Sequence, residues 1–189
     1  MSTTNLDGLN ASQREAVLYL DGPCLVLAGA GSGKTSVITQ KIAYLINTCG
    51  YDAKGVVALT FTNKAAKEMA ERIKTLIDRK LMKGLIISTF HSLGVRFLRE
   101  EAAHAGLKPQ FSILDANDTY GIVQEMLSTT DKGRIRMVQQ KISLWKNDLV
   151  TPDMAERVAQ TPDEVDAALV YRSYDATLKA YQSVDFDDL

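Results

Sequence analysis

Three apolar runs without polar alternation stand in the first half of the chain, at Cys24–Leu27, Val56–Thr60 and Leu85–Thr89. Strands buried on both faces of a parallel sheet have continuous runs of this kind. Apolar residues recur at helical spacing between the runs, from the loop before residue 34 to about Asn47 and from Lys64 to about Arg79. This alternation predicts an α/β fold with a three-stranded parallel sheet and right-handed crossovers.

The second half of the chain has helical periodicity almost throughout. Asp115, Thr151 and Thr161 precede helical patterns, and the two threonines are followed by proline and acidic residues, which are strong helix-start signals. The predicted helices cover residues 90–105, 115–127, 133–146, a short stretch after 151, and 161–182. The change of pattern predicts a disordered tail over residues 1–8, an α/β domain over 9–90 and an all-helical domain over 91–189.

A glycine-rich loop joins the first predicted strand to its helix. It fits the phosphate-binding pattern G-x-x-x-x-G-K-[ST], with Ala28 in place of the first glycine. Consecutive backbone N–H groups before a helix N-terminus can surround phosphate oxygens, and glycines permit the positive φ angles that this requires. The expected nucleotide-binding residues are Ala28, Gly29, Ala30, Gly31, Ser32, Gly33, Lys34, Thr35 and Ser36.

Two residues of this loop are the expected catalytic side chains. Lys34 would reach the β- and γ-phosphates of ATP, and the Thr35 hydroxyl would hold Mg²⁺. The alternative is a glycine-rich strand-to-helix turn that carries an incidental lysine. The strand–loop–helix context favours a nucleoside triphosphate site.

Composition is that of an ordinary soluble globular protein, with 46% hydrophobic and 24% charged residues. A net charge of −1 excludes a globally basic nucleic-acid binder but leaves room for local patches. Residues 64–83 hold seven Lys or Arg against three acids, whereas residues 151–189 hold three against nine. No segment has the pattern of a secretion signal or the roughly 20 apolar residues of a membrane span, so a cytoplasmic protein is expected.

An acidic metal ligand is harder to find in this sequence. Asp115 follows the short apolar piece Phe111–Leu114, but it also suits a helix cap. Asp187 lies in the acidic segment Val184–Leu189, which no strand is expected to precede. Three strands would also leave a sheet with an open edge, so the chain is interpreted as the front part of a larger protein.

Five segments together carry a more specific signal than the loop alone. They are Leu9–Gln13, Ala28–Thr35, Thr60–Ala66, Ile87–His91 and Asp185–Leu189. In order and spacing they resemble superfamily 1 DNA helicases of the UvrD/Rep/PcrA type. The resemblance implies part of a RecA-like motor domain followed by a helical accessory domain of the 1B type, inserted in that motor domain.

The resemblance also implies an activity. Such helicases couple ATP hydrolysis to 3′-to-5′ translocation along single-stranded DNA, and they use a second motor domain that would lie in the remainder of the protein. Mg²⁺ and ATP are the implied cofactors, and single strands and single-strand/duplex junctions are the implied DNA partners. The fragment alone is expected to be inactive.

Site residues follow from the same resemblance. Gln13 would hydrogen-bond the adenine edge, although with Asn10 it also fits a capping box. The implied DNA-binding residues are Thr60, Phe61, Thr62, Asn63, Thr89, Phe90 and His91. Phe61 could instead be a core residue. The accessory domain would present a basic face of Lys132, Arg134, Arg136, Lys141 and Lys146, with a merely solvated helix surface as the alternative.

Two other functions stay open at this point. A complete small phosphotransferase would use the same loop, but it needs an acceptor-binding acid and a mobile arginine-bearing lid that the sequence does not clearly supply. A non-catalytic DNA-binding module with a vestigial nucleotide loop would bind single strands without regard to Lys34.

Overall fold

The computed structural model describes residue 4 and residues 6–189, so part of the predicted 1–8 tail lies outside the described residues. The chain forms two compact units, one up to Leu93 and the other from Gly94 to Leu189. No helix of the described residues is both long and apolar enough to cross a membrane.

The first unit is an α/β structure. Its helices are α1 (Ala11–Leu18), α2 (Lys34–Ala43), which a π-helical turn continues, and α3 (Asn63–Leu76). Its strands β1 (Val57–Thr60) and β2 (Ile86–Thr89) pair in parallel, with Val57 opposite Ile86. The core of this unit includes residues of α2, α3 and β1, among them Ile42, Ala43, Ala58, Met69 and Ile73.

The predicted first strand is the main error in this unit. Cys24–Leu27 is not a strand, and the side chains of Leu25 and Leu27 are 85% and 88% exposed. A strand exists only where a neighbour completes its hydrogen bonds, and β1 and β2 pair only with each other in the described chain. The apolar pattern indicates that a segment is suited to burial in a sheet. It does not show whether a neighbouring strand is present to pair with that segment.

The second unit is predominantly helical. Helix α4 (Phe90–Glu100) begins directly after β2 and runs across the boundary into this unit. The helices α5 (Ala116–Leu127), α6 (Lys132–Asn147), α7 (Pro152–Val158) and α8 (Pro162–Ala180) follow. Their apolar faces meet in one core, which includes Ile135, Trp145 and Tyr171, so the prediction that Trp145 is a core residue is confirmed.

The predicted helix caps are also present in the second unit. The carboxylate of Asp115 accepts hydrogen bonds from two first-turn amides of α5, and the hydroxyls of Thr151 and Thr161 accept one each in α7 and α8. Such caps satisfy backbone donors that have no partner inside the helix. They explain these polar residues without any ligand.

A second small sheet was not predicted. Strands β3 (Ser112–Ile113) and β4 (Ser183–Val184) pair in parallel, so the expectation that no strand precedes the terminal acidic segment is wrong. A two-residue strand is too short to show a recognisable hydrophobic periodicity in the sequence. Its partner lies about seventy residues away, and only the folded helices bring the two together.

Candidate nucleotide and nucleic-acid sites

The glycine-rich loop has the backbone geometry of an anion cradle. Gly31 and Gly33 have φ angles of 73° and 81°, in the left-handed region that favours glycine, whereas Gly29 does not. Gly33 is the N-cap of α2, and no side chain of the described residues caps that helix. The first-turn amides of α2 are therefore available to a ligand.

Lys34 turns back into the loop. Its Nζ donates hydrogen bonds to the carbonyl oxygens of Ala28 (3.1 Å) and Gly29 (2.7 Å). The Thr35 hydroxyl makes no hydrogen bond to any described residue, whereas the Ser36 carbonyl accepts one from Thr39. Lys34 thus places a positive charge within the loop, next to the helix start.

Gln13 connects α1 to this loop. Its Oε1 accepts from the Asn10 amide (3.0 Å), which confirms the capping box, and its Nε2 donates to the Ser32 carbonyl (3.0 Å). A Cβ atom on Gly33 would lie 2.9 Å from Gln13 Nε2. The amide is therefore held against the loop, and both of its polar atoms already have protein partners.

A pocket of about 670 Å³ lies between α1, the loop and α2, lined in part by Gln13, Ser32 and Lys34. The sequence reasoning missed Lys41 on its wall, whose Nζ donates to the carbonyls of Ala16 (2.9 Å) and Tyr19 (2.6 Å). Lys41 follows Lys34 by seven residues and thus lies on the same helix face, which was the available signal. It ties the end of α1 to α2.

The ends of β1 and β2 present two exposed aromatic rings. Phe61 is 90% exposed and Phe90 55% exposed, and their ring centroids are 5.9 Å apart. The alternative that Phe61 is a core residue is therefore wrong. Parallel strands end at the same edge of a sheet, and α/β folds bind ligands at that edge.

The polar residues at this edge differ in exposure. Asn63 and His91 are exposed, while the Thr62 hydroxyl accepts from the Ala65 amide (3.1 Å) as the N-cap of α3. Thr60 is half-buried. Thr89 is only 6% exposed, and its hydroxyl donates to Ser92 Oγ at 2.8 Å, so it supports the turn into α4 and does not face solvent.

The acids considered as metal ligands have structural partners. Asp115 caps α5, and Asp187 Oδ1 accepts from Ser143 Oγ (3.0 Å) and Asn147 Nδ2 (3.1 Å). No group of three or more His, Cys, Asp or Glu side chains in the described part of the chain is arranged to hold a metal ion.

The predicted basic face of α6 is largely neutralised. Arg134 pairs with Asp166 (2.6 Å) and Lys141 with Glu164 (2.6 Å). Lys146 is also paired, and only Lys132 and Arg136 form no ion pair with a described residue. Three of the five residues of the predicted basic face are therefore held in ion pairs.

Lys146 is the centre of a buried polar network. Its Nζ lies 2.8 Å from both Asp185 Oδ2 and Asp188 Oδ1, and the Tyr174 hydroxyl donates to Asp185 at 2.7 Å. Burial alone would lower the pKa of Lys146, but Asp188 and Asp185 outweigh it, so that pKa is raised. Burial raises and Lys146 lowers the pKa of Asp185, with a net decrease. The network holds the terminal acidic segment in place.

Comparison with known proteins identifies the family. The model of the UvrD/REP helicase N-terminal domain matches residues 9–189. The ATP-dependent DNA helicase Rep of Escherichia coli K12 is 49% identical over 184 residues, which cover 96% of this chain and 27% of the relative. The ATP-dependent DNA helicase PcrA of Leuconostoc citreum is 40% identical over 190 residues, covering 98% of this chain and 25% of the relative.

A third relative, a probable DNA helicase II homolog of Mycoplasma capricolum, is 44% identical over 198 residues, covering all of this chain and 27% of that protein. The chain thus spans about a quarter of the length of these relatives. With a family model that matches nearly its whole length, the chain belongs to the UvrD/REP helicase N-terminal domain family.

Proposed function

We propose that this chain is the part of an ATP-dependent DNA helicase that binds Mg·ATP and single-stranded DNA. One observation carries the proposal: an uncapped anion cradle and a pair of exposed aromatic rings lie in the same compact unit. Proteins named as ATP-dependent DNA helicases are similar to it over nearly its whole length, which supports the same use of ATP and DNA.

Nucleotide binding would begin with an exchange of partners at the loop. Lys34 would leave the carbonyls of Ala28 and Gly29 for the phosphates, while the first-turn amides of α2 donate to the same oxygens. The free Thr35 hydroxyl would be a ligand for Mg²⁺. Gln13 would contact adenine only after it gives up its bonds to Ser32 and Asn10.

Single-stranded DNA would bind at the strand ends. The exposed rings of Phe61 and Phe90 offer faces for base stacking, and exposed Asn63 and His91 lie beside them to meet phosphates. Buried Thr89 would position this edge without a direct contact. Stacking on such rings is worth about 1–3 kcal/mol per base.

The helical unit would act as the accessory domain, inserted in the first motor domain, that engages duplex DNA near a single-strand junction. Lys132 and Arg136 are the cations of α6 that remain for this role. The second motor domain would belong to the rest of the protein. Movement in the 3′-to-5′ direction would result from the ATP-driven opening and closing of the two motor domains. DNA replication or repair in the cytoplasm is the corresponding setting.

Hydrolysis requires an acid that holds Mg²⁺ and orients water. Asp115 and Asp187 are occupied as a helix cap and as a partner of Ser143. We therefore propose that the 189-residue chain binds nucleotide but releases phosphate only at background rate, even with saturating single-stranded DNA.

The test compares two variants, each of which should lose one binding activity and retain the other. Lys34→Ala should weaken binding of a fluorescent ATP analogue about tenfold or more while leaving oligothymidine binding unchanged, because it removes a charge-assisted contact to phosphate. Phe61→Ala should weaken oligothymidine binding roughly 5- to 150-fold and spare the nucleotide. Fluorescence anisotropy measures both affinities.

Lys108→Ala and Phe97→Ala are the matched controls, since they remove an exposed lysine and an exposed phenylalanine of the other unit, neither of which has a proposed role in binding. Equal ATP affinity in Lys34→Ala and the parent would favour a vestigial loop. Robust phosphate transfer to a small acceptor without DNA would favour a phosphotransferase. Turnover that Asp115→Asn or Asp187→Asn abolishes would mean that the metal carboxylate lies within this chain.

A further inference from the structure

A second pocket of the first unit lies away from the strand ends that carry Phe61 and Phe90. It has a volume of about 650 Å³. We call it the lysine pocket, and its principal lining residues are Tyr51, Lys54, Leu76, Lys80, Leu81 and Lys83. Tyr51 and Lys54 precede β1, and Lys80, Leu81 and Lys83 precede β2. Because β1 and β2 are parallel, these residues lie at the opposite edge of the sheet from the aromatic pair.

The three lysines of the pocket are exposed and form no ion pair with any residue that the structure describes. The carboxylates next to them serve the backbone instead. Asp52 accepts the Lys54 amide at 3.0 Å, and Asp78 accepts the Lys80 amide at 2.8 Å. The ammonium groups are therefore available to an external anion.

The side-chain stem of Lys54 approaches the backbone of Gly84 closely. Gly84 has a φ angle of 95°, and a Cβ atom built on it would lie 2.3 Å from Lys54 Cγ. A side chain at position 84 would displace the lysine stem as well as strain the backbone. The stem of Lys54 thus passes close to Gly84, and Lys80 and Lys83 lie on the turn that precedes β2.

Apolar surface accompanies these charges. Tyr51 and Leu81 are 52% and 51% exposed, and Leu76 is half-buried beside them. Free lysines interspersed with exposed apolar side chains complement a ligand that carries both carboxylates and apolar groups.

A nucleic acid fits this pocket less well. Asp52 and Asp78 line the same pocket as the lysines, and α3 ends here with the partial negative charge of a helix C-terminus. A continuous phosphate backbone would meet these negative groups, whereas a peptide can place its acids opposite the lysines alone. The mixed charge pattern therefore favours a protein partner.

We propose that the lysine pocket docks a partner-protein segment in which acidic and apolar side chains alternate. The surface is separate from the loop and from the aromatic edge, so it does not depend on the proposed function. The experiment uses the 189-residue chain and a short fluorescein-labelled peptide of alternating aspartate and leucine, with anisotropy for affinity and amide NMR spectra for location.

The double variant Lys80→Glu/Lys83→Glu should weaken peptide binding by at least about tenfold, because two attractions become repulsions. Lys80→Arg/Lys83→Arg should retain binding, and Lys132→Glu/Arg136→Glu on α6, with the same change of net charge, should not weaken it. Amide shifts should centre on Tyr51, Lys54 and Leu81.

Three results would overturn the proposal. The α6 double variant could weaken binding equally, which would indicate non-specific charge attraction. The amide shifts could centre on exposed Leu25 and Leu27, which would indicate adhesion to that apolar segment. Oligothymidine could bind the pocket more tightly than the peptide does, which would make it a nucleic-acid surface.

Discussion

Several residues of the candidate site satisfy a structural and a ligand-binding requirement at once. Gln13 completes the capping box of α1 and also holds the Ser32 carbonyl. Lys34 donates hydrogen bonds to two carbonyl oxygens of its own loop. These contacts occupy the donors of Gln13 and Lys34, and a ligand would have to replace them. The affinity for nucleotide then depends on the difference in free energy between the contacts with the nucleotide and the contacts within the protein that they replace.

Gly33 provides a test at the residue scale. Gly33→Ala places a Cβ at a φ of 81° and 2.9 Å from Gln13 Nε2, so we expect a loss of about 1–2 kcal/mol in the free energy of unfolding and weaker binding of the ATP analogue. Chemical denaturation and nucleotide titration measure these effects.

Gly29→Ala is the matched control, because Gly29 has no positive φ and its Cβ would meet nothing within 4 Å. Indistinguishable behaviour of the two variants would show that the left-handed backbone of Gly33 is not required.

At the scale of elements, two segments show that a helix can be set by local residues, whereas a strand also needs a paired neighbour. Helix α8 begins where Thr161 caps it and Pro162 starts its first turn, and both signals are local. Cys24–Leu27 has the composition of a strand but forms none and is exposed, because the described chain offers it no paired neighbour.

The start of α8 leads to a prediction on pH. Hydrogen bonds from Lys141 and from the amides of Gln160 and Thr161 lower the pKa of Glu164 to about 2. Since the folded pKa is below the unfolded one, this contribution to stability is present above about pH 4.5 and is lost as the pH falls towards about 2. Glu164→Gln should therefore lower the melting temperature near neutral pH and converge with the parent at the acid end.

Thermal unfolding across this pH range checks the prediction. Asp163→Asn is the control, because this neighbouring carboxylate of the same helix turn has no ion pair with a described residue. A constant difference between Glu164→Gln and the parent at every pH would assign the effect to packing.

At the scale of the whole molecule, long-range contacts unite the helical unit. Lys146 of α6 meets Asp185 and Asp188, which follow β4, while Tyr174 of α8 bonds the same Asp185. A Cβ on Gly94 would lie 2.2 Å from the Leu189 carbonyl oxygen, so the last residue also packs closely on α4. These contacts join segments that are distant in sequence.

We expect Lys146→Met to lower the free energy of unfolding of the helical unit by about 3–5 kcal/mol, because it leaves buried carboxylates without a counter-charge. The Lys146 side chain is only 7% exposed. Lys141→Met, which removes a pair whose side chains are 29% and 28% exposed, should cost clearly less, because solvent screens that pair. Denaturant titration of both variants is the measurement, and equal losses would argue against a special role for burial.

The sequence by itself determined the elements whose causes are local. Helix starts at Asn10, Asp115, Thr151 and Thr161 were predictable because a capping side chain and its amide partner lie within three residues of each other. The glycine-rich loop was recognisable for the same reason, and the parallel pairing of β1 and β2 followed from the order of the patterns.

Tertiary structure alone decided everything that depends on a distant partner. It paired β3 with β4, buried Thr89, exposed Phe61 and left Cys24–Leu27 without a paired strand in the described chain. It also converted the predicted basic face of α6 into internal ion pairs, because Asp166, Glu164 and Asp185 come to Arg134, Lys141 and Lys146 only when α8 and β4 fold against α6. A residue's type limits which contacts it can make, and the packing of remote segments determines which of them form.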